Sequence, residues 1–152
     1  MSHTTLILLL STAALLICTE GQQDYHTLDS LSKNSINLAI THIHKTVRPH
    51  MNFFGILEHN EDSDYLSMKV VLKATNCAKN GENTHRDDCK SRTGNQRFAC
   101  VICGERSGSE LTEPFTDCIQ RRRLPEKENY WKKKCVPTYN PGMHSLMSRA
   151  EY

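Results

Sequence analysis

Six of the seven cysteines in this 152-residue chain, Cys77, Cys89, Cys100, Cys103, Cys118 and Cys135, crowd into its second half. An even set of this kind in an exported chain is a disulfide framework, and six cysteines allow 15 pairings. The stretch FACVICGE, residues 98–105, sets Cys100 and Cys103 three apart with Gly104 behind them. That spelling suits a zinc knuckle, a redox pair, or the ends of two separate disulfides. Zinc needs a turn here and a second, similarly spaced pair. No other C-x-x-C occurs, and Cys118 and Cys135 are 17 apart. A redox pair wants a helix start directly after it, whereas Gly104 is followed by ERSGSE, which reads as a loop. On a strand, residues three apart point to opposite faces. Cys100 and Cys103 then need different partners. Two disulfides are the expectation, and spacing alone does not choose those partners.

The export reading comes from residues 6–17, LILLLSTAALLI. This run is too short for a membrane span, which needs about 20 apolar residues, and it sits where a secretory leader belongs. Small residues suited to a cleavage site follow in CTEG. Residues 1–21 are expected to be a signal peptide that carries Cys18 away and leaves a secreted, extracellular chain. The formal net charge is +2 for the whole sequence, and loss of Glu20 with the leader raises it by one. The excess is clumped at Arg121, Arg122 and Arg123 and again at Lys132, Lys133 and Lys134. Clustered cations favour anionic surfaces such as heparan sulfate or bacterial membranes. A solvated face is the plainer alternative, and nucleic acid is not expected as a partner of a secreted chain. No N-x-S/T sequon occurs, so N-glycosylation is not expected.

Hydrophobic periodicity sets the order of elements. Ile36, Ala39, Ile40, Ile43 and Val47 fall on one helical stripe, with Asn37, Thr41, His44 and Arg48 off it. A helix over 28–48 follows, capped by Thr27, Asp29 or Ser30 and ended by Pro49. The period then becomes two. Leu66, Met68, Val70, Leu72 and Ala74 alternate with Ser67, Lys69, Val71, Lys73 and Thr75, the pattern of a half-buried strand with a wet outer face. FFGIL, residues 53–57, reads as its partner and NEDSD, residues 60–64, as the turn. A third strand is expected over 96–104, with Phe98, Cys100 and Ile102 on one face, and a fourth near 116–122. Residues 78–95 are polar and read as a long loop. One helix followed by hairpin-linked strands makes an α+β domain over 22–136, a helix on a four-stranded antiparallel sheet, with a flexible tail at 137–152.

Several stretches together point to a family. LKATNC at 72–77, FACVICG at 98–104, DCI at 117–119, Cys135, and a Tyr-x-Pro-Gly tail starting at Tyr139 resemble the chemerin family. Its members, also called retinoic acid receptor responder proteins, are secreted proteins of the cystatin–cathelicidin-like superfamily. The resemblance covers about residues 28–147. It implies a cystatin-like fold and the pairing Cys77–Cys89, Cys100–Cys118 and Cys103–Cys135. It also implies a chemoattractant or adipokine, made as a weakly active precursor that extracellular serine proteases trim at the C-terminus. The freed tail then enters a chemokine-like G-protein-coupled receptor. The family's tail has the form Y-F-P-G-Q-F-A-F-S. This chain matches it at Tyr139, Pro141 and Gly142 and departs at Asn140, Met143, His144, Ser145 and Leu146. The receptor-binding segment is therefore expected over Tyr139–Met147. Arg149 is the only Lys or Arg after Lys134, which makes Ser148 and Arg149 the cleavage candidates. Buried aromatic anchors carry much of a peptide's binding energy, so the missing phenylalanines bear on potency.

Two other classes compete. A cathelicidin-type host-defence protein releases a cationic tail, but 136–152 carries one Arg and one Glu. A cystatin-type protease inhibitor inserts a Q-x-V-x-G hairpin, and the equivalent stretch here, HNEDSD, is acidic and lacks that motif. An enzyme is not expected, because no nucleophile elbow, zinc-protease, P-loop or dinucleotide motif is present. His42 and His44 are two apart on a helix, do not share a face, and read as surface residues. No metal or cofactor is expected, and a monomer is.

Overall fold

The computed structural model describes residues 23–94 and 96–137. A 3-10 turn at Tyr25–Thr27 leads into helix α1 (Ser30–His44). Four strands follow: β1 (Pro49–Glu61), β2 (Tyr65–Ala78), β3 (Arg97–Ser107) and β4 (Glu110–Gln120). A 3-10 segment (Arg121–Glu126) and a short helix, α2 (Glu128–Lys134), complete it. All strand pairs are antiparallel, and the spatial order is β1-β2-β3-β4. Helix α1 lies on one face, giving the expected α+β architecture.

Helix α1 starts where the sequence has a cap to offer. The Asp29 carboxylate accepts the Ser32 amide at 2.7 Å, satisfying a donor with no partner inside the helix. The helix ends earlier than Pro49, the expected stop. The Thr46 and Val47 amides fold back onto the Ile43 carbonyl, and the Lys79 ammonium donates to the His44 carbonyl at 2.7 Å. Positive charge at the last open carbonyls suits a helix C-terminus. Pro49 instead opens β1, where a missing N–H costs nothing at a strand's first residue.

The inner face of α1, Leu31, Ile36, Ala39, Ile40 and Ile43, packs on Met51, Phe53, Leu66, Met68, Val70, Leu72 and Ile102. The period-two residues of β2 all reach this core, as their alternation requires. Strand β1 pairs with β2 through three register shifts, and bulges of this kind increase local twist. The β1–β2 turn is narrower than expected, because Asn60 and Glu61 still pair with Ser67 and Leu66. The last strand runs earlier than 116–122. β3 continues through Glu105, Arg106 and Ser107, so ERSGSE is mostly strand. The chain reverses at Gly108–Ser109 in a two-residue hairpin, and Gly108 takes the positive φ, +63°, that such a turn demands.

The outer face of the sheet is not uniformly wet, contrary to the expectation. Ala99, Val101, Leu124 and Trp131 form a second buried cluster there. Trp131 lies on α2, is 1 % exposed, and donates its indole N–H to Asp117 at 2.8 Å. Val71, also on that face, is buried.

The disulfides join Cys77 to Cys89, Cys100 to Cys118 and Cys103 to Cys135, the pairs that the resemblance implies. Cys100 sits in the core beneath α1 and bonds its direct cross-strand neighbour on β4. Cys103 bonds Cys135 at the end of α2. The two sulfurs thus take different partners, as strand parity demands.

Candidate anion-binding site

The two cationic runs do not form one patch. Successive residues of a helix step around its axis, so Lys132, Lys133 and Lys134 point in different directions from α2. Lys132 lines a hollow of about 490 Å³ beside Glu58, Glu61 and Asp62. Its charge helps to hold the Glu58 carboxyl below its ordinary value, behind the larger effect of the hydrogen bond from Lys69. Lys134 lies 5.7 Å from the Tyr130 ring centre. In the first run, Arg123 clamps Glu126 with contacts at 2.8–3.2 Å.

Arg121 and Arg122 go elsewhere. With Arg48, Arg92 and Arg97 they line an open cleft of about 950 Å³ at one end of the sheet. Each strand end contributes. Arg48 precedes β1, Arg92 lies in the β2–β3 connection, Arg97 opens β3, and Arg121 and Arg122 follow β4. Val47, Met51 and Phe98 supply apolar lining. Among the described residues, no acidic side chain lines the cleft and none of the five arginines makes an ion pair. Arg97 lies 4.5 Å from the Phe54 ring centre, and Lys73 lies 5.6 Å from the same ring. Lys73 and Arg97 are also direct cross-strand partners. Facing like charges destabilise a sheet, and the shared aromatic face offsets part of that repulsion. The Arg97 Nε is buried with no hydrogen-bond partner among the described residues.

The site is not marked along the sequence, because its residues come from four separated stretches. Only the Arg121–Arg122 pair was visible as a run.

The histidines also depart from expectation. His44 is buried, not a surface residue. Its Nδ1 meets the Asn83 amide oxygen at 2.8 Å, and its Nε2 accepts the Met51 amide at 3.0 Å. It ties α1 to β1 and to the 79–94 loop. His50 is fully buried beside it, with ring centres 5.0 Å apart. Burial lowers both pKa values, and the nearby Lys79 charge lowers that of His44 further. Cys77, Asp88 and Cys89 are close together, but the two sulfurs are bonded to each other and only a carboxylate is left to offer.

The acidic β1–β2 tip is braced rather than free. Lys69 pairs with Glu58 at 2.9 Å, and Arg106 pairs with Glu61 at 3.1 Å. The expected receptor-binding residues Tyr139–Met147, the cleavage candidates Ser148 and Arg149, and the expected leader 1–21 lie outside the described residues.

The described residues therefore form a disulfide-locked α+β domain with an arginine-lined cleft at one sheet end. No family model matches the chain, and no curated protein matches it.

Proposed function

We propose that this chain is a secreted signalling ligand of the chemoattractant type, made as a precursor and activated by C-terminal proteolysis to engage a chemokine-like G-protein-coupled receptor. The observation that carries the reading is the position of the last disulfide: Cys103–Cys135 ties the end of α2 to the sheet, and all three bonds lie N-terminal to the cleavage candidates. Proteolysis at Ser148 or Arg149 thus cuts no disulfide and no described element. Three disulfides in a small domain suit an oxidising, extracellular setting. The Tyr139-x-Pro141-Gly142 match supplies the resemblance to a receptor-entering tail. A cystatin-type inhibitor fits less well, since the β1–β2 tip is acidic and Arg106 holds it through Glu61.

The test compares the oxidised mature chain with a form trimmed to end at Met147 or Ser148, titrated on cells bearing the chemokine-like receptor. Trimming is expected to raise potency tenfold or more, about 1.4 kcal/mol. Silence of both forms at micromolar concentration overturns the reading.

A further inference from the structure

We propose that the five-arginine cleft is a binding site for a linear sulfated polysaccharide. This goes beyond the receptor reading and does not depend on it. Arg48, Arg92, Arg97, Arg121 and Arg122 face one cleft with no acidic side chain in its described lining. Guanidinium groups are planar forks that hold sulfate and phosphate oxygens in pairs. Five of them gathered without counter-charges repel one another, and an anion in the cleft removes that repulsion.

The arrangement is a row rather than a point. The arginines are distributed from the β1 end to the β4 end of a four-stranded sheet. Neighbouring strands lie roughly 4.8 Å apart, so the row spans on the order of 15 Å. One phosphate or sulfate ion cannot contact all of it, whereas an extended chain bearing repeated anionic groups can. Sites for single-stranded nucleic acid add exposed aromatic rings on which bases stack. Here Phe98 is partly buried against the core, and the Phe54 ring is already occupied by Arg97 and Lys73. Sulfated polysaccharides are also the linear polyanions that surround a secreted, disulfide-bonded protein.

The experiment measures binding of the full oxidised chain to size-defined heparin at several salt concentrations. Three variants accompany it: Arg48→Gln with Arg121→Gln, Arg48→Lys with Arg121→Lys, and Lys132→Gln with Lys133→Gln. All six substitutions are at exposed positions, and thermal melts check that each variant keeps its fold. The Arg-to-Gln pair is expected to weaken heparin binding at least tenfold. It should also flatten the dependence of log affinity on log salt by between one and two, since each phosphate-type contact contributes somewhat under one. The Arg-to-Lys pair is expected to fall between this variant and the parent, and the lysine pair to stay within about twofold of the parent. Equal weakening by the Arg-to-Gln and lysine pairs would mean that net charge alone acts, and it overturns the site. Equal affinity for desulfated heparin, for a single-stranded oligonucleotide or for anionic vesicles overturns the assignment of the ligand. Receptor potency is read separately, so failure of either proposal leaves the other standing.

Discussion

Replacing Trp131 tests whether the outer face of the sheet is a second core. The ring is 1 % exposed and packs with Ala99, Val101 and Leu124. Its indole N–H donates to Asp117 at 2.8 Å. Truncating a buried Trp to Ala costs about 3–5 kcal/mol. The Asp117 carboxylate keeps Lys127 at 3.2 Å, so it is not left unpaired and losing the indole donor adds only about 1 kcal/mol. For a domain of this size, 1 kcal/mol moves the melting midpoint by roughly 4 °C, so Trp131→Ala is expected to lower it by about 15 °C. Trp131→Phe keeps most of the apolar contact and loses mainly the hydrogen bond, about 1 kcal/mol, or about 4 °C. Melts followed by far-UV circular dichroism, with disulfides intact, measure both. A fall of less than about 4 °C for Trp131→Ala would refute the reasoning, because α2 would then be an ornament on the sheet. Equal falls for the two variants would assign the stabilisation to the Asp117 hydrogen bond instead.

Two further outcomes are expected. Removing the Cys103–Cys135 bond by a double Ser substitution opens a loop of sequence separation 32, for which the chain-entropy model gives roughly 4 kcal/mol; denaturant titration should show it as a lower midpoint. Stability should also fall with acid in the histidine range. His44 and His50 have folded pKa values below the ordinary 6.5, so the unfolded chain binds protons first, and stability present above about 6.5 is lost as pH drops toward the folded values. An imidazolium at position 44 would also lose the acceptor nitrogen that holds the Met51 amide. Urea midpoints at pH 7.5 and 5.5 measure the slope, and His50→Gln should shrink it. A flat profile would contradict the burial argument.

The inner core was legible because its signals are local. Period two across Leu66–Ala74 and the helical stripe Ile36–Ile43 each declare a buried face within a dozen residues. The helix end was not legible, since it is set by Lys79, more than thirty residues away, donating to the His44 carbonyl. His44 misled for the same reason. Its position off the stripe is true of the helix alone, but the 79–94 loop covers it through Asn83. Helix α2 has a single buried anchor, Trp131, among charged neighbours, so no periodicity marks it. The cleft was least legible of all. Arg48, Arg92 and Arg97 look like scattered surface charges until antiparallel pairing brings the strand ends together.

Cys100 and Cys103 give strand β3 an internal gauge of its own alignment. A slip of one residue against its neighbours would turn every side chain to the opposite face. Cys100 would then point away from the core and Cys103 into it, and neither would meet the partner it has here. Each correct bond is therefore a record that the strand closed in register, written on both sides of the sheet at once. A disulfide map of the purified protein reads that record directly. Mispaired species should accordingly be misfolded species, with a shuffled sheet rather than a native one carrying the wrong staples.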